Sequence, residues 1–252
     1  MLSIKDLTKL EKKRFRDDEG VFLIEGKKVF EEAQKAQLNF IQVLATDRFV
    51  RENSEFLREH KLNYQDLTVI NEHNAERLSD TSTPSGLFAV IKKPEMSLEK
   101  LAQSNTIAVL ENIRDPGNLG TMIRTADWFG ITSILLSSDG VDIYNGKVLR
   151  ATMGSLFHLN IFTSLNLEND LLDLKKQGFQ IIVTRPEGKK PLQSIKAEKN
   201  CIVFGNESLG TSSEVDALAD EVFTIPKFGS AESLNVAVAF GITCHQLLQG
   251  VK

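Results

Sequence analysis

The sequence predicts an α/β protein: a parallel-sheet domain preceded by a smaller α/β module. Two observations carry the prediction. Apolar, strand-like runs alternate with segments of helical spacing along nearly the whole chain, the pattern of a parallel sheet covered by helices on both faces. The alternation is interrupted at KPEMSLEKLAQSN, where Pro94, several charges and no strong apolar pattern mark a linker.

Each element follows in order. VFLIEG (21–26) reads as a buried strand ending at a glycine, KKVFEEAQKAQ (27–37) carries Val29, Phe30, Ala33 and Ala36 at helical spacing, and FIQVLAT (40–46) is strand-like again, completing a β-α-β unit. A polar helical segment (47–60), the short strand LTVI (67–70), the helix-like NEHNAERLSD (71–80) and the strand GLFAVIKK (86–93) complete a first domain at residues 1–93. Residues 94–104 form the linker, and a second domain at 105–252 opens with TIAVLENI (106–113). Its strands are expected at 106–111, 133–137, 179–185, 201–205 and 221–226. Helices are expected near 118–129, 146–152, 169–177 and 214–219, with a long one at 234–249.

Composition sets limits on function. The 252 residues, 41% hydrophobic and 25% charged, suit a soluble globular protein of one large or two ordinary domains, and no apolar run is long enough to span a bilayer. Lys5, Asp6 and Lys9 break up the start, so it lacks the apolar core of a signal peptide and a cytoplasmic protein is expected. Cys201 and Cys244 are too few for a disulfide framework and have no metal-ligand spacing with the four histidines; reduced, packed thiols and no metal are expected. A net charge of −4 shows no overall excess of cations for nucleic acid. Locally, Lys5, Lys9, Lys12, Lys13, Arg14 and Arg16 face only Asp6 and Glu11, a cluster that reads either as a phosphate contact or as a solvated helix face.

Three loops of the second domain are rich in chemistry, and in a parallel sheet such loops converge where ligands bind. In the first, ENIRDPGNLGTMIRTADWFG (111–130), Asp115-Pro116-Gly117 turns the chain, Asn118 is placed as an N-cap, Gly120 allows close backbone approach, and Arg124 projects from the helix. Taken singly, this stretch is equally a helix start whose Arg124 pairs with a nearby carboxylate. The second, FGNESLG (204–210), carries Glu207 between Gly205 and Gly210. The third, IPKFGSAESLNVAVAFG (225–241), sets Gly229, Ser230, Ser233 and Asn235 ahead of an apolar helix. GNLG at 117–120 has the wrong spacing for a dinucleotide fingerprint, and GVDIYNGK at 140–147 is one residue too long for a phosphate loop. There is no nucleophile elbow of the G-x-S-x-G type.

Together, in this order and spacing, the three loops resemble the SpoU branch of the SPOUT superfamily, the TrmH-like RNA 2'-O-methyltransferases. FLIEGKKVFEEA, near the start, is similar to their small L30e-like substrate-binding domain, so the resemblance covers essentially the whole chain. It implies a SPOUT catalytic domain whose C-terminal segment forms a deep trefoil knot, a topology that periodicity cannot reveal. It further implies a homodimer that binds S-adenosylmethionine through Gly205, Ile225 and Leu234, with Gly210 beside them and Thr184 at a preceding strand end. Arg124 is then the central catalytic residue, with Asn118, Glu207, Ser233 and Asn235 orienting RNA, cofactor and loops.

The implied substrate is RNA, ribosomal RNA ahead of tRNA because of the extra N-terminal domain. A non-catalytic RNA-binding dimer is the reading from another class, opposed by the intact Arg124, Glu207 and Asn235. Lys227 departs from the uncharged residue that many relatives carry after Ile-Pro, and reads as a phosphate contact or an exposed, indifferent lysine. Residues 131–162 look like a family segment that lines the site with Lys147, Arg150, Thr152 and Gly154. His158 and Phe22 are expected in the core, with Phe15 a candidate to stack on a base.

Overall fold

The structure, a computed structural model, describes residues 1–185, 188, 190–191 and 198–249. In chain order it begins with α1 (Ile4–Lys9), α2 (Lys13–Glu19), β1 (Val21–Glu25), α3 (Lys27–Lys35), β2 (Phe40–Thr46), α4 (Asp47–Glu52), α5 (Ser54–Glu59), β3 (Leu67–Ile70), α6 (Glu72–Leu78) and β4 (Leu87–Lys92). It continues with α7 (Leu98–Leu101), β5 (Thr106–Leu110), α8 (Pro116–Trp128), β6 (Ser133–Ser137), α9 (Gly146–Thr152), β7 (Asn160–Ser164), α10 (Leu167–Lys176) and β8 (Gln180–Thr184). The chain closes with β9 (Lys190–Pro191), β10 (Asn200–Phe204), α11 (Ser213–Leu218), β11 (Glu221–Thr224) and α12 (Val236–Gln249). Two compact units result: Met1–Glu95 with Ile143–Phe157, and Met96–Asp142 with His158–Lys252.

The first unit holds a four-stranded sheet in the order β1-β4-β2-β3. β4 lies between β1 and β2 and runs antiparallel to both, so the expected β-α-β unit is split by a strand inserted from later in the chain. The expected helix over 47–60 is two helices, broken at Asn53, whose backbone (φ −128°, ψ 37°) leaves the helical region. Arg16 leaves the basic cluster: it is buried, and its Nη1 donates to the carbonyls of Leu10 (2.5 Å) and Glu11 (2.8 Å), fixing the turn between α1 and α2. Phe22 is buried and stacks on Tyr144, with centroids 4.4 Å apart. Arg150 on α9 pairs with Asp80 at 3.1 Å, and Thr152 is buried with its hydroxyl donating to the Leu149 carbonyl. Gly154 (φ +96°) lies so close to Glu32 that a Cβ there would sit 2.5 Å from Glu32 Cγ. Three of the four residues expected to line the site from this segment therefore have structural duties inside the first unit.

The second unit is built on a seven-stranded sheet, ordered β7-β6-β5-β10-β8-β11-β9, in which every pairing is parallel. Its central strands are apolar on both faces: Ile107, Val109, Leu135, Ile181, Val183, Cys201 and Val203 pack into one core together with Leu171 and Leu174 of α10, and the alternate positions Ala108, Leu110, Ile134, Leu136, Ile182 and Ile202 are buried as well. Each such side chain contributes about 1.5–3 kcal/mol on burial. The segment expected as a linker holds α7, whose Leu101 is fully buried in this core. From β5 the chain builds outward to β6 and β7, then returns to place β10 on the other side of β5. The loops after β5 and β10 therefore leave neighbouring strand ends at a switch in strand order, where open α/β sheets bind ligands.

Candidate active site

The first loop starts a helix three residues earlier than the sequence suggests. Asp115, not Asn118, is the N-cap of α8: its carboxylate accepts from the Asn118 backbone N–H at 2.7 Å, and Pro116, which has no N–H to satisfy, occupies the first helical turn. Asn118 is thereby inside the helix, with its side chain free for another task. Its Nδ2 donates to Glu207 Oε1 at 2.9 Å, and its Oδ1 accepts from Asn235 Nδ2 at 3.0 Å.

The direction of this chain of hydrogen bonds is set by the backbone. Asn235 Oδ1 accepts from the N–H groups of Ala237 (2.9 Å) and Val238 (3.3 Å), capping α12, so its amide nitrogen must face Asn118. Asn118 must then present oxygen to Asn235 and nitrogen to Glu207, and the carboxylate ends the chain as an acceptor. Helices α8 and α12 continue side by side in the same direction: a Cβ on Gly241 would lie 3.8 Å from Thr125 Cγ2, and the Phe129 and His245 rings sit 6.3 Å apart.

The second loop is closed on itself. Asn206 and Gly210 exchange backbone hydrogen bonds of 2.9 Å, while Asn206 Oδ1 accepts from the N–H groups of Ser208 and Leu209 and its Nδ2 donates to the Asn112 carbonyl at 2.9 Å. Asn206 is one of two residues the sequence did not single out, Glu111 being the other; its signal was an Asn directly after a strand-ending glycine, where an Asx turn forms. Glu111, buried at the end of β5, accepts from the Ser212 N–H at 3.0 Å and ties the same loop to the first. A Cβ on Gly205 would fall 2.2 Å from the Gly210 carbonyl carbon and 2.3 Å from the Thr211 nitrogen, so backbone passes directly against backbone. Gly210 has φ +71° and open space beside it.

The other expected residues are placed without joining this chain of bonds. Thr184, at the end of β8, donates to the Val203 carbonyl at 3.1 Å. Ile225 follows β11 and is half-buried, Ser233 is exposed, and Leu234 is 50% exposed. Arg124 is exposed on α8, about 9 Å along the helix axis from Asn118. Among the described residues no carboxylate pairs with its guanidinium. His158 is not a core residue: it is exposed, and its Nδ1 lies 2.9 Å from Asp127 Oδ2. Among the described residues no group of three or more His, Cys, Asp or Glu side chains could hold a metal ion, and no helix is long and apolar enough to cross a membrane.

Comparison with known proteins bears on this arrangement. The profile of the SpoU rRNA Methylase family matches residues 105–245, and that of an MRM3-like substrate binding domain matches residues 2–89. A 23S rRNA (guanosine(2553)-2'-O)-methyltransferase of Bacillus subtilis is 34% identical over 245 residues, covering 97% of this chain and 95% of its own. An AdoMet-bound rRNA methyltransferase from Sinorhizobium meliloti superposes with a TM-score of 0.84 at 26% identity, over 99% of this chain and 95% of that one. The AdoMet complex of the SpoU methyltransferase AviRb from Streptomyces viridochromogenes has the same fold, with a TM-score of 0.89 at 22% identity over 98% and 96% of the two chains.

Proposed function

The chain belongs to the SpoU rRNA methylase family, and on that premise we propose that it transfers a methyl group from S-adenosylmethionine to a ribose 2'-hydroxyl of ribosomal RNA. One observation carries the assignment of the site. The bonds from Asn235 through Asn118 to Glu207 draw together three stretches that lie 117 and 89 residues apart in sequence. The loops that they join leave the C-terminal ends of a parallel sheet.

The residues present fit the methyl donor. Gly205 and Gly210 leave the backbone of the second loop bare, with open space beside Gly210. Leu234 offers an apolar face, Thr184 ends β8, and Ile225 follows directly on the neighbouring β11. When bound there, S-adenosylmethionine supplies a methyl group on a positively charged sulfur. The protein must bring the ribose oxygen in line with that methyl and manage the charge that develops as the hydroxyl proton leaves. Arg124 takes that role: guanidinium is a donor with a very high pKa, so it binds a neighbouring phosphate and stabilises alkoxide charge instead of removing a proton. Glu207 uses one carboxylate oxygen for Asn118, leaving the other to accept the hydroxyl proton. Ser233 hydrogen-bonds the RNA.

The rest of the family architecture goes with this reading. The segment after β11 is threaded as a deep trefoil knot, supported by the return of α12 onto α8 and by the bond from Asn235 to Asn118. Residues 1–93 are an L30e-like RNA-binding domain, supported by the match at 2–89, and precede the transferase domain, whose core already takes in Leu101 of α7. The active form is a cytoplasmic homodimer, supported by exposed apolar side chains on the paired helices, Trp128 (84%) on α8 and Val238 (52%) on α12.

The test is transfer of labelled methyl from S-adenosylmethionine to unmodified ribosomal RNA, followed by alkaline hydrolysis. A methylated 2'-oxygen cannot attack the adjacent phosphate, so label must appear in alkali-resistant dinucleotides, and Arg124→Ala must cut the rate on the order of a hundredfold or more. Label released in mononucleotides as methylated base would overturn the reaction. Transfer to tRNA alone would move the substrate, and RNA binding with no transfer to any RNA would leave a passive RNA-binding dimer.

A further inference from the structure

Phe228 is 98% exposed, an uncommon environment for a phenylalanine in a loop between two ordered elements. Its place in the chain is what gives the exposure meaning. It lies three residues after Ile225, beside the proposed methyl-donor site, and seven before Asn235, which is bonded to Asn118. Lys227 precedes it, also exposed, and among the described residues no carboxylate pairs with that ammonium. Gly229 follows, and a Cβ there would meet nothing within 4 Å, so the backbone beside the exposed ring is open as well. An aromatic face and a free cation on adjacent residues match the two parts of a nucleotide, a base that stacks and a phosphate that carries charge.

We propose that Phe228 and Lys227 form a nucleotide clamp on the third loop, with Phe228 stacking on an unpaired base of the RNA next to the methylated ribose and Lys227 contacting its phosphate. Single-stranded loops and bulges are where 2'-hydroxyls and base faces are both available, and stacking tolerates any base because every base has a π-face. The clamp rests on the methyltransferase reading for its substrate. It adds how that substrate is held: Phe228 is a specificity residue for unpaired RNA, acting on binding ahead of chemistry.

The test compares the full-length protein with Phe228→Ala, Phe228→Tyr and Lys227→Ala. Methyl transfer to unmodified ribosomal RNA gives KM and kcat, and binding of a single-stranded RNA oligonucleotide carrying 2-aminopurine gives affinity and stacking by fluorescence quenching. Phe228→Ala should raise KM and the oligonucleotide Kd on the order of tenfold, abolish the quenching and leave kcat within about twofold, while Phe228→Tyr restores all three. Lys227→Ala should weaken binding a few-fold and reduce its salt dependence without touching the quenching. Unchanged KM and quenching in Phe228→Ala would overturn the clamp, as would a shift in sedimentation to a smaller species, which would make Phe228 a subunit contact. If the wild type binds the oligonucleotide but transfers no methyl, the enzymatic reading fails while the quenching arm still decides the clamp.

Discussion

At the scale of single residues, Asn118 and Gly205 shape the candidate site for opposite reasons. Asn118 is needed for what its side chain offers on both ends, oxygen to Asn235 and nitrogen to Glu207. Gly205 is needed for what it lacks, since a Cβ there would fall 2.2 Å from a backbone carbon that cannot swing aside. Gly205→Ala therefore forces the second loop open at its base, where Gly205 passes Gly210 and Thr211, and we expect a loss of about 1–3 kcal/mol in stability together with loss of S-adenosylmethionine binding. Thermal unfolding and calorimetric titration check both; an alanine variant that binds the donor with wild-type affinity would show that the close passage has no role in the site. The chemistry of these residues was legible in the sequence, but their partners were not. Asn118 reads as a helix cap because it follows Pro-Gly. The structure gives that duty to Asp115, three residues earlier, because Pro116 fits the first helical position and the residue before it becomes the cap. Asn206 shapes its own loop through an Asx turn that the sequence hinted at, but its bond to the Asn112 carbonyl, like that of Glu111 to the Ser212 N–H, joins two loops and leaves no spacing to read.

At the scale of elements, the strands of the second unit were readable because a parallel strand buried on both faces is written as a short continuous apolar run, as in TIAVL and NCIVF. β7 was not, since NIFTS mixes two polar side chains and an asparagine into five residues and owes its pairing to β6 alone. The inserted position of β4 was also beyond reach, because strand order depends on long-range pairing and leaves no periodicity. The two cysteines show what burial in these elements does chemically. Cys201 lies in β10 and Cys244 in α12, both buried and free, and loss of solvation pushes the Cys244 thiol up to about 12 and the Cys201 thiol higher still. Thiolate is the reactive form, so neither should react with an aromatic disulfide reagent in the native protein at pH 8, and both should titrate once the chain is unfolded. A fast native reaction of either thiol would place it at a surface and contradict the packing of β10 or α12.

The chain forms two compact units, and the loops of the candidate site in the second are ones that only the complete sheet can bring together. β5 and β10 are far apart in sequence yet adjacent in register, Leu110 opposite Phe204, and everything that follows each strand inherits that proximity. A net charge of −4 over the chain means that affinity for RNA must come from local groups on particular loops and not from a general cationic surface. What unites the three loops is the bonded run from Asn235 through Asn118 to Glu207, and a double-mutant cycle on kcat/KM for methyl transfer, using Asn118→Ala, Glu207→Gln and the pair, tests it most directly. Residues that act through one hydrogen-bonded unit are not independent, so we expect the double variant to lose little more than the worse single variant, a coupling of about 1 kcal/mol or more. Effects that simply add would mean that the first and second loops work apart, and that no common site joins them.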